Sequence, residues 1–168
     1  MWRTVRRTLL MPLGIGLVVG CGGSESNEPD GVGFPSLPSD LLNAYCVRGE
    51  ALVGQTRTGS VTFDDCDAAE IEPSDSSYYE VWRVRVASQT AVTFDASSGF
   101  DNYLVVLRLD SHTATSAILT QIAENDDRVP GSNFNALVTV TLQPNTDYFV
   151  SISGYDYDET GPYSLDIR

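Results

Sequence analysis

The run Tyr78-Tyr79-Glu80-Val81-Trp82-Arg83-Val84-Arg85-Val86 decides the fold class. Its even positions Tyr78, Trp82, Val84 and Val86 are bulky and apolar, while Arg83 and Arg85 fall between them. An extended chain sends successive side chains to opposite faces, so the pattern predicts a half-buried strand with both arginines on the other face. Seven more β-rich runs follow the same logic: TRTGSVTF (56–63), TAVTFD (90–95), NYLVVLRL (102–109), AILTQIAE (117–124), FNALVTVTL (134–142), DYFVSIS (147–153) and PYSLDIR (162–168). Ala136, Val138, Val140 and Leu142 alternate with more polar neighbours, whereas 102–109 is apolar on both faces, as in a central strand. The intervening SSGFD, NDDRVPGSN, QPNT and GYDYDETG have turn composition. About eight short strands, with no helical run long enough for a crossover, predict an all-β, antiparallel β-sandwich or jelly-roll-like domain. Upstream, DLLNAY (40–45) reads as one helical turn or an entry segment, with Asp40 a candidate N-cap.

The chain opens MWRTVRRTLLMPLGIGLVVG, with Arg3, Arg6 and Arg7 ahead of a short apolar run broken by Pro12, Gly14 and Gly16. That is the build of an export signal, too short and glycine-rich for a membrane-spanning helix of about 20 residues. Val18-Val19-Gly20-Cys21 resembles the lipobox of bacterial lipoproteins. The resemblance implies a diacylglyceryl group on the Cys21 thiol, cleavage before Cys21, and acylation of the new amine. Gly22 stands where inner-membrane lipoproteins typically carry Asp, so by resemblance the destination is the outer membrane. The expected organisation is a signal peptide over 1–20, a lipidated Cys21 with a flexible Gly/Ser/Pro-rich tether over 21–45, and one domain over 46–168.

Without the signal, seven Arg face 23 acidic residues, a net −16, and no Lys occurs anywhere. With no basic patch, a nucleic-acid partner is not expected. One His (His112, in polar LDSHTATS) and two remaining Cys leave little material for a transition-metal centre. Gly-x-Ser-x-Gly, His-Glu-x-x-His and phosphate-binding Gly-Lys motifs are absent, and no two carboxylates are marked out as acid and nucleophile, so no enzymatic activity is expected. Cys46 and Cys66 form an even pair in an exported chain, which favours one structural disulfide.

Residues from about Gly54 to Ile167 resemble the bacterial pre-peptidase C-terminal (PPC) domain. The similarity runs through GQTRTGSVTFDDC, SSYYEVWRVRVASQTAVTFDAS, FDNYLVVL and ENDDRVPGSNFNALVTVTLQPNTDYFVSISGYDYDETGPYSLDI in order. Ser88 where Gly is usual, Trp82 where Phe is usual, and Asn145-Thr146-Asp147 before Tyr148 depart from the family pattern. The resemblance implies a β-sandwich and a secreted, non-catalytic accessory module, in some members with calcium. The peptidase that such a module usually accompanies is absent from this sequence.

Calcium takes six to eight oxygen ligands, which loops can bring together. Candidates are Asp101, Asp126 and Asp127, then Asn125, then Asp156 and Asp158; no EF-hand loop is present. The alternative is that these residues make Asx-turns with their own backbone or stay solvated. Asp64-Asp65-Cys66-Asp67, with Glu70 and Glu72, reads as an exposed loop. Tyr155 and Tyr157 alternate with acids and are candidate ligand-binding residues, whereas Tyr78 and Tyr163 read as core residues with a polar tip. The expected function is a lipid-anchored binding or accessory module for a protein or polysaccharide. The alternatives are an accessory or inhibitor of a separately encoded peptidase, or a structural envelope lipoprotein.

Overall fold

The computed structural model describes residues 32–68 and 77–168. The expected export signal over 1–20, Cys21, Glu70 and Glu72 lie outside the described residues. A short helix, α1 (Ser39–Ala44), is followed by β1 (Val47–Ala51), β2 (Thr56–Val61), β3 (Cys66–Asp67), β4 (Tyr78–Val84) and β5 (Thr90–Ser98). Then come β6 (Asn102–His112), β7 (Ala117–Asn125), β8 (Leu137–Leu142), β9 (Tyr148–Gly154) and β10 (Gly161–Ile167). All eight expected strands are present, and β1 and β3 join them. Neither was legible: VRGEA has little alternation, and β3 is only two residues long.

The strands form two sheets, a sandwich as expected. One runs β1-β4-β9-β6-β7, with β3 also on β4; the other runs β2-β10-β5-β8. All pairings are antiparallel except β1 with β4, which is parallel. β1 lies beside Val81–Val84 and β3 beside Tyr78–Tyr79, so the two share one edge of β4. Val84, Phe94, Leu104, Val106, Val150, Ile152, Leu165 and Ile167 fill the space between the sheets. This is the inward half of each alternating pattern, interdigitated as sandwich packing requires.

A second apolar cluster lies on the opposite face of the larger sheet. Leu41 and Tyr45 pack there on Tyr79, Val81, Ala117, Leu119 and Phe149. This corrects two expectations. The chain from Phe34 to Tyr45, expected as tether, is packed on the sandwich, because Leu41 and Tyr45 cover apolar side chains that the sheet would otherwise expose. For the same reason β4 is buried on both faces, and Arg83 is only 2% exposed. Its guanidinium pairs with Asp147 (2.7 Å) and Glu50 (3.0 Å). It also donates to the Pro35 carbonyl (2.7 Å) and stacks 5.2 Å from the Phe34 ring centroid. Asp147 takes Arg85 as well. Asp40 sits in the first turn of α1, whose cap is Pro38 with no side-chain hydrogen bond, so Asp40 is not the N-cap.

The Cys46–Cys66 disulfide is formed, with Cα atoms 5.8 Å apart. It ties the end of the helical segment to β3. Asp65, next to Cys66, accepts hydrogen bonds from Thr62 N–H and hydroxyl and pairs with Arg48, so this part of the acidic run is structural.

Candidate functional site

The strand order gathers three loops at one end of the sandwich. Asn102 on β6 is opposite Gly154 on β9, and Tyr163 on β10 is opposite Ser98 on β5. The links β5–β6 (99–101), β7–β8 (126–136) and β9–β10 (155–160) therefore emerge together. Their backbones are joined: Tyr155 N–H donates to the Asp101 carbonyl (2.9 Å), and Asn102 N–H to the Phe134 carbonyl (3.2 Å).

The support beneath is a hydrogen-bonded amide pair, Asn102 and Asn135. Asn102, fully buried, donates through Nδ2 to Ser98 Oγ (2.7 Å) and Asn135 Oδ1 (2.8 Å), and its Oδ1 accepts Ala136 N–H (2.9 Å). Asn135 Oδ1 also accepts Ser98 N–H (2.7 Å). Every polar atom of the Asn102 amide is thus used to tie the β5–β6 link to the β7–β8 link, which braces this end. Gly154 lets the last loop fold back tightly, since a Cβ there would stand 2.3 Å from the Glu159 carbonyl.

Acids converge on this base. Asp101 has its carboxyl pushed up to about 6 by burial and by the negative charges of Glu159, Asp127, Asp126 and Asp156. Its Oδ1 is buried and has no hydrogen-bond partner. Glu159 spans the loops, accepting Asp101 N–H at 3.4 Å and Asp156 N–H at 3.2 Å. Asp126 accepts Asp127 N–H (2.8 Å) and Asp127 accepts Gly131 N–H (3.0 Å), so each makes a local turn bond through one oxygen. Asn125 donates to the carbonyls of Asp127 (2.7 Å) and Leu137 (3.0 Å), stapling its own loop. Asp158 is exposed and is not among the charges that perturb Asp101.

The structure therefore brings Asp101, Asp126, Asp127 and Asp156 to one place, with Glu159 where sequence reading put Asp158. Carboxylate oxygens are the kind of donor a hard cation takes. Among the described residues no three His, Cys, Asp or Glu side chains stand close enough to hold a metal ion together as they are. Asn102, Asn135 and Glu159 were missed as site residues. Asn102 was signalled by a polar side chain opening an apolar strand, and Glu159 by its place in an acidic loop already singled out. Tyr155 (57% exposed) and Tyr157 (64% exposed) project from the same end.

Elsewhere, Glu80 forms a closed polar centre between the sheets. Only 3% exposed, it accepts Arg48 Nε (2.8 Å) and the Tyr163 hydroxyl (2.6 Å), while Tyr163 accepts Trp82 Nε1–H (2.8 Å). Burial and the Glu80 carboxylate hold the Tyr163 hydroxyl well above its usual pKa, so it donates as a neutral phenol. His112 is exposed at the end of β6, close to the Thr113 carbonyl.

No family model and no curated protein matches the chain. Among solved structures it is similar to the pre-peptidase C-terminal domain of a collagenase from Bacillus anthracis, at 16% identity and TM-score 0.46, over 73% of this chain and 96% of that one. It is also similar to PliG of Aeromonas hydrophila, a periplasmic inhibitor of g-type lysozyme, at 13% identity and TM-score 0.40, over 71% and 98%. A third is CorA, a surface-associated copper-binding protein of Methylomicrobium album BG8, at 9% identity and TM-score 0.49, over 73% and 98%.

Proposed function

We propose that this chain is an exported, lipid-anchored, non-catalytic β-sandwich module of the PPC type. Its acidic end takes calcium and presents Tyr155 and Tyr157 to a protein or polysaccharide ligand. The observation that carries the calcium reading is the buried, unpartnered Oδ1 of Asp101 facing like charges from two other loops. A calcium ion there would supply the positive charge that these carboxylates lack and lock the loops together. Asp101, Asp126, Asp127, Asp156 and Glu159 would hold it, with side chains turned inward from their present positions. Export is supported by the arginine-led apolar signal and by a disulfide, which persists in oxidising compartments. Anchoring rests on Val18-Val19-Gly20-Cys21, and an outer-membrane destination on Gly22.

The test is thermal unfolding of the full chain with its disulfide intact, in calcium and then in EGTA, with magnesium and ionic-strength controls. The expected result is a calcium-specific rise in midpoint that grows with concentration, as native-state binding requires. No shift at millimolar calcium would leave these acids as turn residues. Mass spectrometry of membrane-associated protein tests the anchor: a Cys21 N-terminus bearing acyl groups is expected, and an unmodified Cys21 would overturn it.

A further inference from the structure

We infer that the exposed aromatic patch of Tyr155, Tyr157 and Phe134 is a docking surface for an arginine-bearing segment of a basic protein. The inference deepens the binding-module reading and rests on it. The Phe134 carbonyl accepts Asn102 N–H and Tyr155 N–H donates to the Asp101 carbonyl, so the backbones that carry Phe134 (53% exposed) and Tyr155 meet on the adjacent residues 101 and 102. Large exposed rings on a rigid base are costly to leave in water and mark contact surfaces. The Asn102–Asn135–Ser98 hydrogen bonds provide that base.

The charge around the rings selects the occupant. Asp101, Asp126, Asp127, Asp156, Asp158 and Glu159 lie in the three loops, against the single base Arg128. Arg128 is itself paired with Asp95. In Tyr155-Asp156-Tyr157-Asp158, each ring has a carboxylate beside it in the chain. A guanidinium can stack on such a ring while its N–H fork is taken by the carboxylate, which an ammonium does less well.

Calorimetry in EGTA would compare binding of the full chain to a short arginine-rich peptide and to the same peptide with every Arg made Lys. The arginine peptide is expected to bind about fivefold more tightly, and Tyr155→Ser with Tyr157→Ser to weaken it about tenfold, as two lost cation–π contacts imply. Equal binding of the two peptides, or no effect of the tyrosine changes, would reduce the interaction to plain charge and overturn the proposal. Tyrosine-dependent binding of chitosan in preference to either peptide would overturn the arginine assignment in favour of a cationic polysaccharide. A retained calcium response without tyrosine-dependent binding of any of these probes would overturn this inference alone. Loss of both would overturn the binding-module reading too.

Discussion

Glu80 and Asp101 are both partly or wholly buried carboxylates, and the protein treats them in opposite ways. Glu80 lies between the sheets with a guanidinium on one oxygen and a phenol on the other, each within 2.8 Å. Asp101 lies at the end of the sandwich with one oxygen unpartnered and its nearest charges negative. A buried charge is tolerated when its hydrogen bonds are satisfied, and Glu80 meets that condition within the fold. Asp101 does not meet it through Oδ1. The first carboxylate therefore holds the structure together, and the second is where we place the proposed calcium ion.

The comparison breaks most sharply at Glu80. Glu80→Ala leaves the Tyr163 hydroxyl without its acceptor and Arg48 without its buried partner, and a loss of about 3 kcal/mol in denaturant unfolding is expected. Unchanged stability would mean that this centre is dispensable. Gly59→Ala attacks the same place sterically, because a Cβ there would stand 2.3 Å from Glu80 Oε2 and 2.4 Å from the Tyr163 hydroxyl. Pushing that pair apart is expected to cost about 2 kcal/mol by the same measurement.

At Asp101 the expected sign is reversed. Its carboxyl sits at about 6, above its ordinary 3.8, so between these values the folded chain binds more protons than the unfolded one. Its contribution to stability is then fully present at low pH and lost as pH rises through about 6. In EGTA, Asp101→Asn should raise the unfolding midpoint at pH 7.5 relative to the parent and should flatten the difference between the two below pH 4. Asp101→Asn should also blunt the calcium response. A lower midpoint in the variant at pH 7.5 would show that Asp101 is a structural carboxylate like Glu80. The smallest effect is expected at the surface, where Tyr155→Ser with Tyr157→Ser should leave the midpoint within about 0.5 kcal/mol, since exposed side chains away from caps and cores contribute little.

Several of these contrasts were legible in the residues. The Tyr155–Asp156–Tyr157 alternation, the Asn125-Asp126-Asp127 turn and Asp101 after Gly99-Phe100 were each visible as loop chemistry. Their meeting at one end was not, because strand order cannot be read from strand composition. Glu80 and Arg83 lie on opposite faces of β4, and alternation alone explains the burial of neither charge. Each is a charged residue in a strand, where period-two reasoning assigns arginines to a solvated face, yet both are buried. The partners that permit this lie 32 residues away for Arg48–Glu80 and 64 for Arg83–Asp147.

The existence of eight of the ten strands, their approximate bounds, the sandwich class and the Cys46–Cys66 pairing follow from local pattern and cysteine arithmetic. Backbone alternation and turn chemistry act over a few residues and so are written in the linear chain. Which face of β4 meets the N-terminal segment, which carboxylate is satisfied and which three loops converge depend on contacts between distant residues. Those contacts arise only when both sheets close on their cores and exclude water, and it is that closure which leaves Glu80 partnered and Asp101 open.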